Sequence, residues 1–189
     1  MRFPLEDAYR RERADFVATI ESLDDEQFEH GETLCEGWAP RDVLAHLLGI
    51  DTMPDAYVRA GGIGRGNARI IESYQAKSRA ELTEAAHRWA ASPALTARLG
   101  SAFFIGDLCV HHQDVLRPLG RSRDLDATRS AAILREGLVL GGRKLVSHRL
   151  EPTDGGRPIG RGTTVRGTRE ALGLWLTGRR GIEPELEFG

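Results

Sequence analysis

LGSAFFIGDLCVHHQDVL, residues 99–116, decides how this chain reads. Up to His111 the segment is apolar on nearly every face of a helix, and such a helix belongs in the centre of a bundle rather than on its surface. The spacing predicts one long helix over 95–117, stopped by Pro118 and Gly120. Inside it stand Asp107 and, four residues on, His111, which helical geometry puts on one face, with Phe103 on the same stripe. Burying a carboxylate without a partner costs on the order of several kcal/mol. A metal ion satisfies both polar groups at once.

Working outward, helical signals fill the first 136 residues. Leu5, Tyr9, Phe16, Ile20 and Leu23 share one face of a helix over 5–23. Asp24 and Gln27 form a capping-box pattern, and 29–37 reads as a loop. Pro40 suits the first position of the next helix, Asp42 complements its N-terminal dipole, and Pro54 should kink or end it. GGIGRG at 61–66 has no strand before it and no Gly-Lys-Ser/Thr after it, so it reads as a connector rather than a phosphate loop. Ser78 and Glu81 open a helix through Trp89, and a further helix covers 126–140. Twelve of the 22 glycines fall in 137–189. There KLVSHRLEP, the turn TDGG and RPIGRGTTVRG read as a β-hairpin, and Thr168 caps a last helix ending at Gly178. The expected fold is mainly α: an up-and-down four-helix bundle over 1–142 with a small C-terminal β-hairpin plus helix over 143–189.

At 189 residues and 40% hydrophobic the chain can build a real core. Its net charge of -2 hides a split: 143–180 carries nine basic and three acidic groups, net +6, whereas 1–142 carries net -5 and the tail 181–189 adds three glutamates. The basic segment has no aromatic interleaving, which argues against nucleic acid as partner. Only two cysteines, Cys35 and Cys109, occur, so a disulfide framework is excluded and a reducing compartment is the default. No apolar run is long enough for a membrane span, and MRFPLEDAYRRER lacks a signal-peptide core. The expectation is a soluble, cytoplasmic protein, monomer or homodimer, with no nucleic-acid or membrane partner.

A third polar group joins Asp107 and His111. His46, in WAPRDVLAHLL, shares its helix face with Val43 and Ile50 and so points into the bundle. His46, Asp107 and His111 make a His-carboxylate-His set from two helices. Three protein ligands leave positions free, the pattern of a catalytic metal site. Zinc is the first choice, and nickel, manganese and ferrous iron are compatible. Against this stands a plainer reading: hydrogen-bonded core histidines, an Asp107–Arg pair, and an ordinary Asp114–His111 pair. Asp114, Gln113 and Asp42 are candidates to orient a ligand imidazole, with helix capping as Asp42's plain role. His112 points about 100° away from His111. Cys35 reads as a half-buried structural thiol or as lining the site's mouth, Cys109 as core, and Trp38 as a packing anchor.

GWAPRDVLAHLL (37–48) and GDLCVHHQDVLRPLGR (106–121) resemble the two signature segments of the mycothiol-dependent maleylpyruvate isomerase family, within the DinB-like superfamily of metal-binding four-helix bundles. LWLTGRR (174–180) is similar to the helix ending that family's C-terminal region. The resemblance implies that His46 is the first metal ligand and His111 the last. The intervening ligand, usually glutamate, matches Asp107, one methylene shorter. It also implies mycothiol as cofactor, with the metal supplying the thiolate. In an isomerase the thiolate adds to an activated cis double bond, which rotates before elimination; in a transferase the thiol stays on the electrophile.

The leading expectation is therefore a metal-dependent, mycothiol-using transferase or cis-trans isomerase acting on a small anionic or electrophilic substrate, with His46, Asp107 and His111 as catalytic residues. Arg157, Arg161 and Arg166 are candidates to bind an anionic substrate or cofactor through bidentate pairing, against the plain reading of a solvated strand face. Two other readings stand beside it: a metal-dependent hydrolase with metal-bound water as nucleophile, and a non-catalytic module binding a small ligand.

Overall fold

The computed structural model describes residues 3–53 and 55–189. The chain divides into two compact units. The first takes the residues up to Phe104 together with His111–Arg121; the second takes Ile105–Val110 and Ser122–Gly189.

The first unit is helical. Helix α1 (Glu6–Glu21) buries most of the predicted face: Tyr9, Phe16 and Ile20 are in the core, as is Leu23 just beyond its end, whereas Leu5 precedes the helix and is exposed. The short α2 (Asp25–His30) starts at the expected capping box, with Asp24 and Gln27 bonded reciprocally. Helix α3 (Pro40–Thr52) has Pro40 at its first position and buries Val43, Leu44, Leu47 and Leu48. Its expected terminator, Pro54, lies outside the described residues. Helices α4 (Ala56–Ala60) and α5 (Ile63–Tyr74) follow. The glycine run at 61–66 is therefore not a connector: Gly61 closes α4 in a left-handed conformation and Ile63–Gly66 forms the first turn of α5. Ile70, fully buried, anchors that helix. Helix α6 (Arg79–Ala91) opens with the Ser78–Glu81 capping box and buries Leu82, Ala86 and Trp89.

A buried cation ties three of these helices together. Arg13 of α1 is wholly buried, ion-paired to Asp51 of α3, and donates to Trp89 O of α6 at 2.7 Å and to Tyr9 Oη at 2.9 Å. Its guanidinium lies 4.0 Å from the Trp89 ring centroid, so the charge is both paired and faced by an aromatic ring.

The expected single helix over 95–117 is broken. Helix α7 (Leu95–Leu99) ends at Gly100, and α8 (Ser101–Leu116) starts afresh at Ser101, whose Oγ lies 2.9 Å from the Pro4 and Arg98 carbonyl oxygens. Phe103, expected on the inward stripe, is 57% exposed; burial is continuous only from Leu108 to Leu116.

The second unit packs α9 (Ala127–Gly141) against α10 (Arg169–Leu176) beside a small sheet. The helices approach at Gly137 and Gly173. A Cβ on Gly173 would lie 2.5 Å from Ile133 O, and one on Gly137 2.6 Å from Gly173 O.

The sheet has four strands in the order β2-β1-β3-β4: β1 (His148–Pro152), β2 (Ile159–Gly160), β3 (Thr163–Gly167) and β4 (Glu187–Phe188). The expected hairpin exists only as the short β1–β2 pair, with Leu150 opposite Ile159. Strand β3 lies on the other side of β1 and runs parallel to it, with Leu150 opposite Val165. Only Arg161 and Gly162 separate β2 from β3, so the chain crosses the start of β1 there. Gly160 and Gly162 have φ of 90° and 101°, and a side chain at 162 would collide with the Ser147 backbone.

Candidate metal centre

His46 sits on the buried side of α3 and His111 in the buried part of α8; they are 3% and 6% exposed. Their ring centroids are 4.8 Å apart, edge to face. Asp107, half-buried, stands one turn before His111 on α8. His46, Asp107 and His111 each offer a ligand atom within 4.8 Å of the others. The three residues singled out in the sequence thus come together, with two imidazoles and a carboxylate as the donor set. That set suits zinc, manganese, nickel or ferrous iron, so the residues present fit a divalent ion.

The supporting shell explains how the set is held. His111 Nδ1 lies 2.8 Å from Oδ2 of Asp114, which is completely buried. A carboxylate there favours the proton on Nδ1 and leaves the lone pair on Nε2, the arrangement in which a histidine ligates metal. Of the three candidates for this task, Asp114 takes it rather than Gln113 or Asp42. Asp42 does what a helix start requires instead: it accepts from Ala39 N at 3.0 Å. His112 turns away as its register demands, with Nδ1 2.8 Å from Glu12 Oε1 and Nε2 2.8 Å from Thr19 Oγ1.

The loop before α3 completes the centre. Leu34 N donates to Asp114 O at 3.1 Å, and Thr33 Oγ1 donates to Trp38 O at 2.8 Å and accepts from Cys35 N at 3.1 Å. Thus pinned, Trp38 lies almost parallel to His111, with centroids 5.9 Å apart at 17°, and 5.2 Å from His46. Cys35 Sγ donates to the same Asp114 Oδ2 at 3.0 Å and lies 3.6 Å from His111 Nδ1. Cys35 is half-buried, as expected, and of its two readings the contact with His111 and Asp114 bears on the one that lines the site, while Trp38, expected only as a packing anchor, packs against both imidazoles. No spacing rule joins residue 35 to residue 114; only the tight Thr33–Trp38 turn beside a ligand helix offered a hint. Cys109 is buried core, as expected.

The three arginines all belong to the second unit. Arg157, between β1 and β2, and Arg161, between β2 and β3, are exposed. Arg166 on β3 lies between Glu151 at 4.0 Å and Glu187 at 3.9 Å. No described helix is long and apolar enough to cross a membrane.

Residues 9–103, just over half of the chain, match the mycothiol maleylpyruvate isomerase N-terminal domain family. The chain belongs to this family. The matched stretch takes in His46 and ends before Asp107 and His111. No curated protein sequence matches the chain. Two solved structures are similar to it. One is a crystal structure of the mycothiol-dependent maleylpyruvate isomerase, with a TM-score of 0.61 and 13% identity. The other is a histidine-to-alanine mutant of such an isomerase, with a TM-score of 0.63 and 14% identity. Each comparison covers 99% of this chain and 93% of the other. At that identity the likeness establishes a shared fold, mainly helical with a small C-terminal sheet.

Proposed function

We propose that the chain is a metal-dependent, thiol-using enzyme of the maleylpyruvate-isomerase type, a cis-trans isomerase or S-transferase. The observation that carries this reading is the convergence of His46, Asp107 and His111 within 4.8 Å, beside a buried Asp114 on His111 Nδ1. These residues would hold a divalent ion, zinc first. Such an ion lowers the pKa of a bound thiol, here that of mycothiol, to which family membership points.

The chain's own residues supply the rest. Asp114 fixes the ring of His111, and Cys35 helps to fix Asp114. Trp38 packs against both imidazoles. Arg157 and Arg161 are the proposed handles for carboxylates of the substrate or cofactor; Arg166, flanked by Glu151 and Glu187, is the weaker member of that set.

Elemental analysis of purified wild type, His46→Ala and His111→Ala tests the metal. Loaded with manganese, an ion without preference for sulfur, wild type should carry close to one ion and the variants little. Calorimetric titration of the metal-loaded protein with mycothiol tests the thiol. Absence of heat at millimolar thiol would remove mycothiol from the reading and leave metal-bound water as the nucleophile of a hydrolase. Equally little metal in all three proteins would leave a binding module without a catalytic ion.

A further inference from the structure

We propose that Cys35, His111 and Asp114 form a second metal position, selective for thiophilic ions, that competes with the His46 set for His111. The three side chains offer a sulfur, a nitrogen and an oxygen with all ligand atoms within 4.8 Å. Their separations are close to what an ion requires. Tetrahedral zinc with Zn–S of about 2.3 Å and Zn–N of about 2.0 Å sets sulfur and nitrogen about 3.5 Å apart. Cys35 Sγ and His111 Nδ1 are 3.6 Å apart. The other two edges, 3.0 Å from Sγ to Asp114 Oδ2 and 2.8 Å from Nδ1 to Oδ2, are hydrogen bonds. An ion replacing those protons opens each edge by about half an ångström.

The donor set differs in kind from the first. His46, Asp107 and His111 are nitrogen and oxygen donors, whereas a thiolate biases its site towards the softer cadmium and cuprous ions and away from manganese, nickel and ferrous iron. Cys35 is half-buried, so an ion reaches it without unfolding the loop, while Asp114 is wholly buried. The carboxylate already has a cation-compatible environment, because it accepts from both neighbours.

Proton bookkeeping makes the two positions alternatives. A neutral imidazole has one N–H and one lone pair. With the proton on Nδ1, held by Asp114, the lone pair on Nε2 is available to the His46 set. An ion bound by Cys35 takes the Nδ1 lone pair, so the ring proton moves to Nε2, and the thiol proton leaves to solvent. His111 then presents a donor, not a ligand, at its Nε2 edge. A thiophilic ion at Cys35 therefore switches off the first position.

Titration of the metal-free protein with cadmium alone tests the site. Wild type and His46→Ala should both develop sulfur-to-cadmium charge-transfer absorption, saturating at one ion per chain. Cys35→Ser should lose it, with an unchanged circular dichroism spectrum. A wild type without the band, or a band that survives in Cys35→Ser and so belongs to Cys109, overturns the proposal. A second titration starts from the cobalt-loaded wild type. The visible cobalt spectrum should fade in step with the rising cadmium band, and a cobalt spectrum that persists at full cadmium occupancy overturns the competition. A wild type that takes up no cobalt at all counts against the proposed function, while the cadmium band continues to report the Cys35 position.

Discussion

Oδ2 of Asp114 lies 2.8 Å from His111 Nδ1 and 3.0 Å from Cys35 Sγ, so one buried carboxylate oxygen serves both an imidazole and a thiol. Removing this partner should weaken metal binding without removing a ligand of the His46 set. Asp114→Ala is expected to lower affinity for the ion about 10–100-fold, the usual effect of losing such an outer partner. Competition against a chromophoric chelator measures it. Affinity equal to wild type would show that Trp38 packing alone orients the ring.

The buried Arg13 makes a stability prediction. Asp51→Ala leaves a wholly buried guanidinium without its carboxylate and should cost about 3–5 kcal/mol in urea unfolding. The double variant Arg13→Met, Asp51→Leu should recover much of that loss, because no uncompensated charge remains. A double variant as unstable as the single one would mean that the contacts of Arg13 with Trp89 and Tyr9 matter more than its charge.

In the second unit, Gly173→Ala pushes a methyl group to within 2.5 Å of Ile133 O and 2.8 Å of Ile133 Cγ2. Helices α9 and α10 must then separate, with an expected loss of about 1–3 kcal/mol. Gly178→Ala gives a contrast, since its cost comes from a φ of 86° with no atom in the way. Thermal unfolding followed by circular dichroism compares the two.

Acid should expose a third weakness. Arg98 above all, then the Phe3 N–H and Arg10, hold the Glu6 carboxyl at about 2, below its ordinary 4.5. A carboxyl with a lowered folded-state value contributes stability that is full above 4.5 and lost as pH falls towards 2. Wild type should therefore lose stability across that window more steeply than Glu6→Gln. Parallel acid profiles for the two proteins would count against the Glu6–Arg98 pair, 2.7 Å long, as a source of acid sensitivity.

Much of this was legible because it is local. The α1 face, the Asp24 and Ser78 capping boxes and Pro40 at the start of α3 follow from side chains within a turn of one another. His46, Asp107 and His111 were legible for a related reason: polar groups at helical spacing on otherwise apolar faces must meet something. The break at Gly100 was hidden because hydrophobicity continues across it, and the contact made there, Ser101 Oγ to Pro4 O, spans 97 residues. The parallel β1–β3 pairing was hidden because alternation marks a strand but not its neighbour. The partners of Cys35 were hidden because they lie 76 and 79 residues along the chain.

The scarcity of lysine has a practical consequence. Of 26 basic side chains only Lys77 and Lys144 carry an amine. Lys77 is exposed, whereas Lys144 is half-buried, 4.0 Å over the Trp175 ring, donating to Trp175 O at 2.7 Å. An amine-selective acylating reagent therefore meets one open side chain in the native protein. Acylation of the other requires the Lys144–Trp175 contact to open. The mass added at Lys144 over time becomes a clock for the opening of that contact, read in the wild-type chain with no engineered label.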